Sequence, residues 1–183
     1  MEQGRAARDP WLYKAEYNRR LMQMVTRRRE TIRTGAAVAK QYLVAGSRTF
    51  LEALQAKGLL LYLASGTDQP DVLEEANILG LDSFFKEIAG APAGEVRCRK
   101  EEIVRRLLHE NQIHGEELAV IGDGKVEIGI ACEAGAVALC FASHEMDMPG
   151  VDARKRSRLI AAGAQAIISD YLALDDVIAW LGL

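Results

Sequence analysis

The sequence predicts an α/β protein built on a parallel β-sheet, and two observations lead to this fold class. Continuous apolar runs of strand length recur along the chain, and helical patterns separate them. Glycines end several of the helical patterns just before the next apolar run begins. Because strands that alternate with helices at this spacing form parallel sheets with right-handed crossovers, we expect one such sheet covered by helices.

Composition and charge exclude several classes of protein. The chain of 183 residues is long enough for one domain with a core and a small appendage. A net charge of −3 does not indicate a nucleic-acid binder. No stretch reaches the roughly 18 apolar residues of a membrane span, and the basic N-terminus lacks the apolar segment of a signal peptide. We therefore expect a cytoplasmic protein without nucleic-acid or membrane partners.

The cysteines agree with a reducing compartment. Their number is odd, and Cys98, Cys132 and Cys140 are too far apart for a zinc knuckle or a disulfide framework. Cys132 and Cys140 fall in apolar surroundings, so we predict that both are small core residues.

The first 45 residues contain no predicted strand and form a separate helical element. The pattern predicts a helix from Trp11 to about Arg33, a break at Thr34-Gly35, and a second helix from Ala36 to Val44. Residues 1–33 carry nine Lys or Arg against four Asp or Glu. These arginines are interpreted as a solvated helix face or, alternatively, as a basic lid that attracts an anionic substrate.

Residues 46–183 carry the predicted sheet. A helix that begins near Ser47 and ends at Gly58 leads into the first strand, Leu59 to Ala64, whose unbroken apolar run predicts burial on both faces. The later predicted strands are Phe84–Ala89, Leu118–Ile121, Ala136–Phe141 and Ala166–Ile168. The later predicted helices run from about Pro70 to Leu79, from Lys100, from Lys125, from about Arg154 to Gly163, and through the C-terminus.

Candidate site residues follow three of these strands. Ser65, with the nearby backbone N–H groups of the Ser65-Gly66 turn, could hold a phosphate oxygen, and Lys100 could act as a point charge for phosphate. Asp123 and Glu127 follow the Leu118–Ile121 strand and suit Mg²⁺, which takes a few carboxylates together with water and phosphate oxygens. Each has a plainer interpretation as well: a turn residue, a solvated helix start, or a tight turn followed by a helix-starting acid.

Their order and spacing resemble the haloacid dehalogenase (HAD) superfamily of hydrolases. Ser65 in Leu-Tyr-Leu-Ala-Ser-Gly-Thr resembles that family's second motif, and Lys100 resembles its third-motif lysine. Asp123 and Glu127 in Gly-Asp-Gly-Lys-Val-Glu resemble its acidic fourth motif. The resemblance implies a Rossmann-like core at 46–183. It also implies that residues 1–45 are part of the helical cap of the phosphoglycolate phosphatase-like branch.

The resemblance implies Mg²⁺-dependent hydrolysis of a small phosphate monoester. Ser65 would hold a phosphoryl oxygen together with Gly66, and Lys100 would offset the charge repulsion between carboxylate and phosphate. Asp123 would bind Mg²⁺, and Glu127 would bind it directly or through water. Such positioned charges stabilise a phosphoryl group during transfer.

The family's first motif, the Asp-x-Asp that supplies the nucleophile, is absent, since no two aspartates in the chain stand two residues apart. In the family this motif follows a central strand between those that carry Ser65 and Asp123. We therefore expect a truncated hydrolase that is inactive or nearly so alone and that forms a homo-oligomer or takes a strand from a partner.

Two alternatives remain, a non-catalytic binding or regulatory module and one half of a split enzyme. The in-frame sequence upstream of Met1 would distinguish them from truncation. A flavodoxin-like or receiver-like domain would leave Ser65, Lys100 and Glu127 without roles.

Overall fold

The computed structural model describes residues 9–92, 100–144 and 150–183, and it shows strands and helices that alternate as predicted. The helices are α1 (Pro10–Arg33), α2 (Ser47–Ala56), α3 (Gln69–Ile78), α4 (Lys100–Asn111), α5 (Lys125–Ala134), α6 (Ala153–Ala161) and α7 (Leu174–Trp180). The strands are β1 (Tyr62–Asp68), β2 (Glu87–Ala91), β3 (Ala119–Gly122), β4 (Val137–Phe141) and β5 (Ala166–Ile168). Of the helices described, none is long and apolar enough to cross a lipid bilayer.

All strand pairs are parallel, but the strands form two separate sheets. β1 pairs with β2, with Leu63 opposite Ile88, and β3, β4 and β5 form a second sheet in that order. Within residues 9–92, 100–144 and 150–183, no strand pairs with the second edge of β1 or of β3. The division therefore falls between β1, which contains Ser65-Gly66, and β3, which directly precedes Asp123.

The core is built around β4, whose two faces contact different helices. Ala138 and Cys140 pack on one face with Ile128 of α5 and Leu159 of α6. Leu139 points to the opposite face, where it packs with Phe50 and Leu54 of α2 and Val177 of α7. This alternation follows from the two-residue period of a strand, and it makes β4 the most deeply buried strand described.

The predicted bounds and burial of the first strand are wrong. The strand runs from Tyr62 to Asp68 rather than from Leu59 to Ala64, Leu60 is 56% exposed, and Ala64 is also exposed. A strand that is buried on both faces needs neighbours on both edges of the sheet. In the described part of the chain β1 has a partner on one edge alone, which explains its partial exposure.

Two smaller predictions are also corrected. The expected helix from Ala36 to Val44 is reduced to a single 3-10 turn, Ala39–Tyr42, because the flanking Val38 and Leu43 adopt extended backbone angles. Cys140 is buried as predicted, whereas Cys132 is exposed. Cys132 directly follows the buried Ala131 on α5, and one residue turns a helix by about 100°, away from the sheet. Cys98 lies outside the described residues.

Candidate functional site

Ser65 lies within β1, because the strand continues to Asp68 instead of ending before Ser65 as the sequence predicted. Its Oγ accepts a hydrogen bond from the backbone N–H of Thr67 at 3.1 Å, which orients the hydroxyl within this segment of the strand. The pairing register of β1 with β2 shifts between Ala64 and Asp68, so the backbone leaves the regular ladder at this segment. Gly66 is exposed beside it. This irregular segment therefore presents a hydroxyl and an exposed glycine in the carboxyl-terminal half of β1, close to the strand end where a phosphate site is expected.

Lys100 and Glu127 contact each other directly. The Lys100 Nζ lies 2.5 Å from Glu127 Oε1, and both side chains are largely buried, with 22% and 18% of their surfaces exposed. The pair joins the first residue of α4 to the first turn of α5. The sequence assigned these residues to phosphate and to metal. The two side chains meet at one point, which agrees with a shared site. In this structure they form an ion pair with each other.

Two glycines make room for Glu127 beside Asp123. A Cβ atom at Gly122 would lie 2.5 Å from Glu127 Cγ, and one at Gly124 would lie 2.6 Å from Glu127 Oε2. The Glu127 side chain therefore folds back over the Gly-Asp-Gly turn, while the Asp123 side chain is exposed. The Gly-x-Gly spacing was a sequence signal for this close approach.

The pKa of Glu127 is lowered. Burial of the carboxyl group acts to raise its pKa, but the hydrogen bond from Lys100 and those from the backbone N–H groups of Glu127 and Gly124 outweigh this effect. The resulting pKa lies below the ordinary value of 4.5. Glu127 is therefore an anion at neutral pH, as both an ion pair and a metal ligand require.

This lowered pKa predicts a pH-dependent contribution to stability. The pair stabilises the fold fully above pH 4.5, and the contribution is lost as the pH falls through the lower pKa of the folded state. The free energy of unfolding should therefore differ more between the wild type and Glu127→Gln at pH 7 than at pH 3. Urea unfolding at both pH values measures this, with Glu133→Gln on the exposed end of α5 as a control. A difference that is the same at both pH values would contradict the prediction.

Asp123 and Glu127 supply two carboxylates to a candidate metal site. In the described parts of the chain, no cluster of three or more His, Cys, Asp or Glu side chains is placed to hold a metal ion. Mg²⁺ commonly uses one or two protein carboxylates and completes its shell with water and phosphate oxygens. The residues present therefore fit Mg²⁺ as part of a site that needs further oxygen ligands.

Arg29 is a residue whose role the sequence analysis missed. It was placed on a solvated helix face or a basic lid, yet it is 6% exposed and binds α3. Its guanidinium donates to Glu74 Oε2 at 2.6 Å and to the Asp71 carbonyl oxygen at 3.0 Å, and Arg33 also pairs with Glu74. Arg29 follows the buried Val25 by four residues, so both share one helix face. That spacing was the signal that could have identified it.

A cavity lies between α1 and the carboxyl end of β1. Its volume is about 380 Å³. The lining residues are Tyr17, Asn18, Leu21 and Met22 of α1 and Gly66, Thr67, Asp68 and Asp71 of the core. Of the predicted site residues, Gly66 lines it, whereas the other four do not: Ser65, Lys100, Asp123 and Glu127. The docking of α1 through Arg29 thus forms a cavity next to Ser65.

A family model described as a haloacid dehalogenase-like hydrolase matches residues 11–135. The chain belongs to this family. The match extends from α1 to the end of α5 and includes all the predicted site residues: Ser65, Gly66, Lys100, Asp123 and Glu127. The resemblance inferred from the three motifs is therefore confirmed.

The chain spans only part of the length of the relatives that it matches. A 5'-nucleotidase of Pseudomonas aeruginosa is 36% identical over 95 residues, which are 48% of this chain and 42% of that protein. A haloacid dehalogenase-like protein of Agrobacterium tumefaciens aligns with a TM-score of 0.61 and 22% identity, covering 76% of this chain and 61% of its own.

Two further solved structures align comparably. A HAD family hydrolase of Deinococcus radiodurans aligns with a TM-score of 0.60 and 19% identity, covering 76% of this chain and 60% of its own. A predicted phosphoglycolate phosphatase of Haemophilus somnus aligns with a TM-score of 0.59 and 18% identity. The alignment covers 74% of this chain and 56% of that chain. At these identities the structures share the fold, and the chain spans about three-fifths of their length.

Proposed function

We propose that this hydrolase chain forms the phosphate- and magnesium-binding part of a phosphatase that acts on a small phosphorylated metabolite. The observation that carries the proposal is the position of Ser65-Gly66, in the irregular carboxyl-terminal half of β1, and of Asp123, directly after β3. Ligands of open α/β sheets bind beyond these ends. Lys100 and Glu127 meet beside Asp123 and add a cation and a second carboxylate.

The named relatives support a phosphate monoester as the substrate class. One relative is a 5'-nucleotidase, and one solved neighbour is a predicted phosphoglycolate phosphatase. The Deinococcus radiodurans hydrolase contains bound phosphate and sodium. Ser65 and Gly66 would hold phosphoryl oxygens. Lys100, once released from Glu127, would offset the negative charge of these oxygens.

We infer further that the nucleophile comes from a strand outside these 183 residues. The unpaired edges of β1 and β3 among the described strands support this inference, because backbone N–H and C=O groups need partners when buried. A longer form of the chain, the other half of a split enzyme or a second protein could supply the strand. Exposed apolar side chains on α1, including Trp11, Leu12 and Tyr13, also favour association with a partner or a second copy.

The Lys100–Glu127 ion pair supports a second candidate function. A lysine whose charge is already neutralised by a carboxylate acts as a structural contact, which suits a binding or regulatory module without turnover. The two candidates differ in their response to an added Asp-x-Asp strand, since the binding module gains no activity from it. Free thiols at Cys132 and Cys140 support a reducing, cytoplasmic location for either.

Magnesium titration tests the proposed metal site. Asp123→Asn should weaken Mg²⁺ binding by roughly tenfold or more, and Glu127→Gln should weaken it less. The reason is that Asp123 is exposed at the turn, whereas Glu127 is held by Lys100. Isothermal titration calorimetry measures both affinities, with Glu133→Gln as the control. Unaltered Mg²⁺ affinity in both site variants would overturn the assignment.

A further inference from the structure

The outer face of α6 carries positive charge that the fold does not use. Four of the six residues 153–158 are Lys or Arg. Arg154, Arg156 and Arg158 are exposed, and none of them forms an ion pair within the described ranges of the chain. Arg154 lies in the first turn of α6, where the helix dipole favours an acid, so its charge does not stabilise this helix. The helix also lies beyond residues 11–135, which the family model matches.

The same face of α6 has the composition of a protein contact. Ile160 is 50% exposed on this side of the helix, and the exposed Ala153 and Ser157 are small. The Ser157 hydroxyl donates to the Ala153 carbonyl oxygen at 2.9 Å, so its hydrogen-bonding need is met within the helix. Small side chains let a second helix approach closely, and arginine beside apolar surface is typical of protein interfaces. A nucleic acid or a lipid surface would require the charges alone.

The chain has a complementary face on α7. Arg158 is the last Lys, Arg or His of the 183 residues, so this helix contains no cation. Asp175 and Asp176 are exposed and form no ion pair in the part of the chain that the structure describes. Beside them, Leu172 is 71% exposed and Trp180 is 44% exposed. This face therefore combines free carboxylates with apolar side chains, and carboxylates are the groups that the arginine fork binds best.

The two faces lie on opposite sides of the sheet formed by β3, β4 and β5. Leu159 packs α6 on the side of β4 that carries Ala138 and Cys140. Val177 packs α7 on the other side, against Leu139. Two copies related by a two-fold axis could therefore not make the contact twice. Each contact between two copies leaves one α6 face and one α7 face free for further copies, which is the head-to-tail arrangement.

We propose that the α6 face of one copy binds the α7 face of a second copy, so that the protein associates head to tail. The arginines of α6 form ion pairs with the two aspartates of α7, and the exposed apolar side chains pack beside them. The helices have nine and seven residues, which are about 14 Å and about 10 Å long, so the contact is small and reversible. It uses none of the residues of the proposed phosphate site and does not rest on the proposed function.

Sedimentation velocity over a range of protein concentrations tests the association. The average mass of the wild type should rise with concentration and pass that of a dimer without a plateau. It should fall when NaCl is raised from about 0.1 M to about 1 M, since this shortens the screening distance from about 10 Å to about 3 Å.

Charge reversal identifies the two faces. Arg154→Glu/Arg158→Glu and Asp175→Lys/Asp176→Lys should each lose the rise in mass, because both faces of each variant then carry the same sign. An equimolar mixture of the two variants should recover it. A small proportion of the first variant added to the wild type should lower the average mass, because its α7 face binds but its α6 face accepts no further copy.

A matched control has the same change in net charge elsewhere. Arg27→Glu/Arg105→Glu reverses two exposed arginines of α1 and α4 and should associate like the wild type. All these substitutions are on exposed helix faces, so each variant should remain folded, which far-ultraviolet circular dichroism checks.

Several results would overturn the proposal. These are a wild type that stays monomeric, a mass that stops at a dimer, and a mixture of the reversed variants that does not associate. Association that persists in both variants alone and in high salt would place the contact at another surface. Binding of a monomeric wild type to a DNA duplex or to phosphatidylserine vesicles, lost in Arg154→Glu/Arg158→Glu, would assign the α6 face to a polyanion instead of a second copy.

Discussion

The purified 183-residue chain should hydrolyse phosphate monoesters no faster than its Asp123→Asn variant. Nucleophilic catalysis needs a carboxylate in line with phosphorus, and the sequence has no Asp-x-Asp pair to supply it. Loss of a catalytic nucleophile lowers turnover by several orders of magnitude, on the order of 10⁴-fold or more. In the proposed site Ser65 and Lys100 would bind and polarise a phosphate, but neither side chain replaces that carboxylate. A p-nitrophenyl phosphate assay with Mg²⁺ measures the rate.

The matching gain of activity is the stronger half of this test. The chain should become active when it is extended by, or co-expressed with, a segment in which an apolar strand of about five residues ends in Asp-x-Asp. Changing the first Asp of that segment to Asn should abolish the gain of activity, and the variant should remain folded. Robust turnover by the chain alone, lost in Asp123→Asn, would falsify the inference that the nucleophile lies elsewhere.

Arg29→Met should destabilise the protein by about 1–3 kcal/mol and release α1 from α3. Arg29 is buried against the half-exposed Glu74 and the Asp71 carbonyl, so the change removes charge-assisted hydrogen bonds and leaves two carboxylates near each other. Methionine keeps much of the side-chain volume, so loss of packing is a small part of the effect. Urea unfolding measures the free energy, and hydrogen exchange of the α1 amides shows whether this helix is released first.

Arg33→Met is the matched control. Arg33 also pairs with Glu74, but its side chain is 53% exposed. Exposed ion pairs contribute about 0–1 kcal/mol, so the control should change stability little and leave the exchange of α1 near that of the wild type. Equal, small effects of both variants would show that the buried contact does not hold α1 in place.

The sequence alone determined the features that depend on local rules. The period of apolar residues predicted the alternating strands and helices, and the polar residues after an apolar run located Asp123 at the end of β3. Motif spacing was enough to identify the HAD-like hydrolase family, which the match over residues 11–135 confirms. These properties rest on short segments of chain, so a single sequence contains the information that they need.

Only the tertiary structure decided which distant residues meet. Arg29 binds a helix that is 42 to 45 residues away along the chain, and Lys100 pairs with Glu127 across 27 residues. Whether an arginine is solvated or buried depends on the element that packs against its helix, which the period of that helix does not specify. Likewise, the apolar run at Leu59–Ala64 predicted a fully buried strand, but burial depends on the neighbouring strands. The split between β1 and β3 left this strand at a sheet edge.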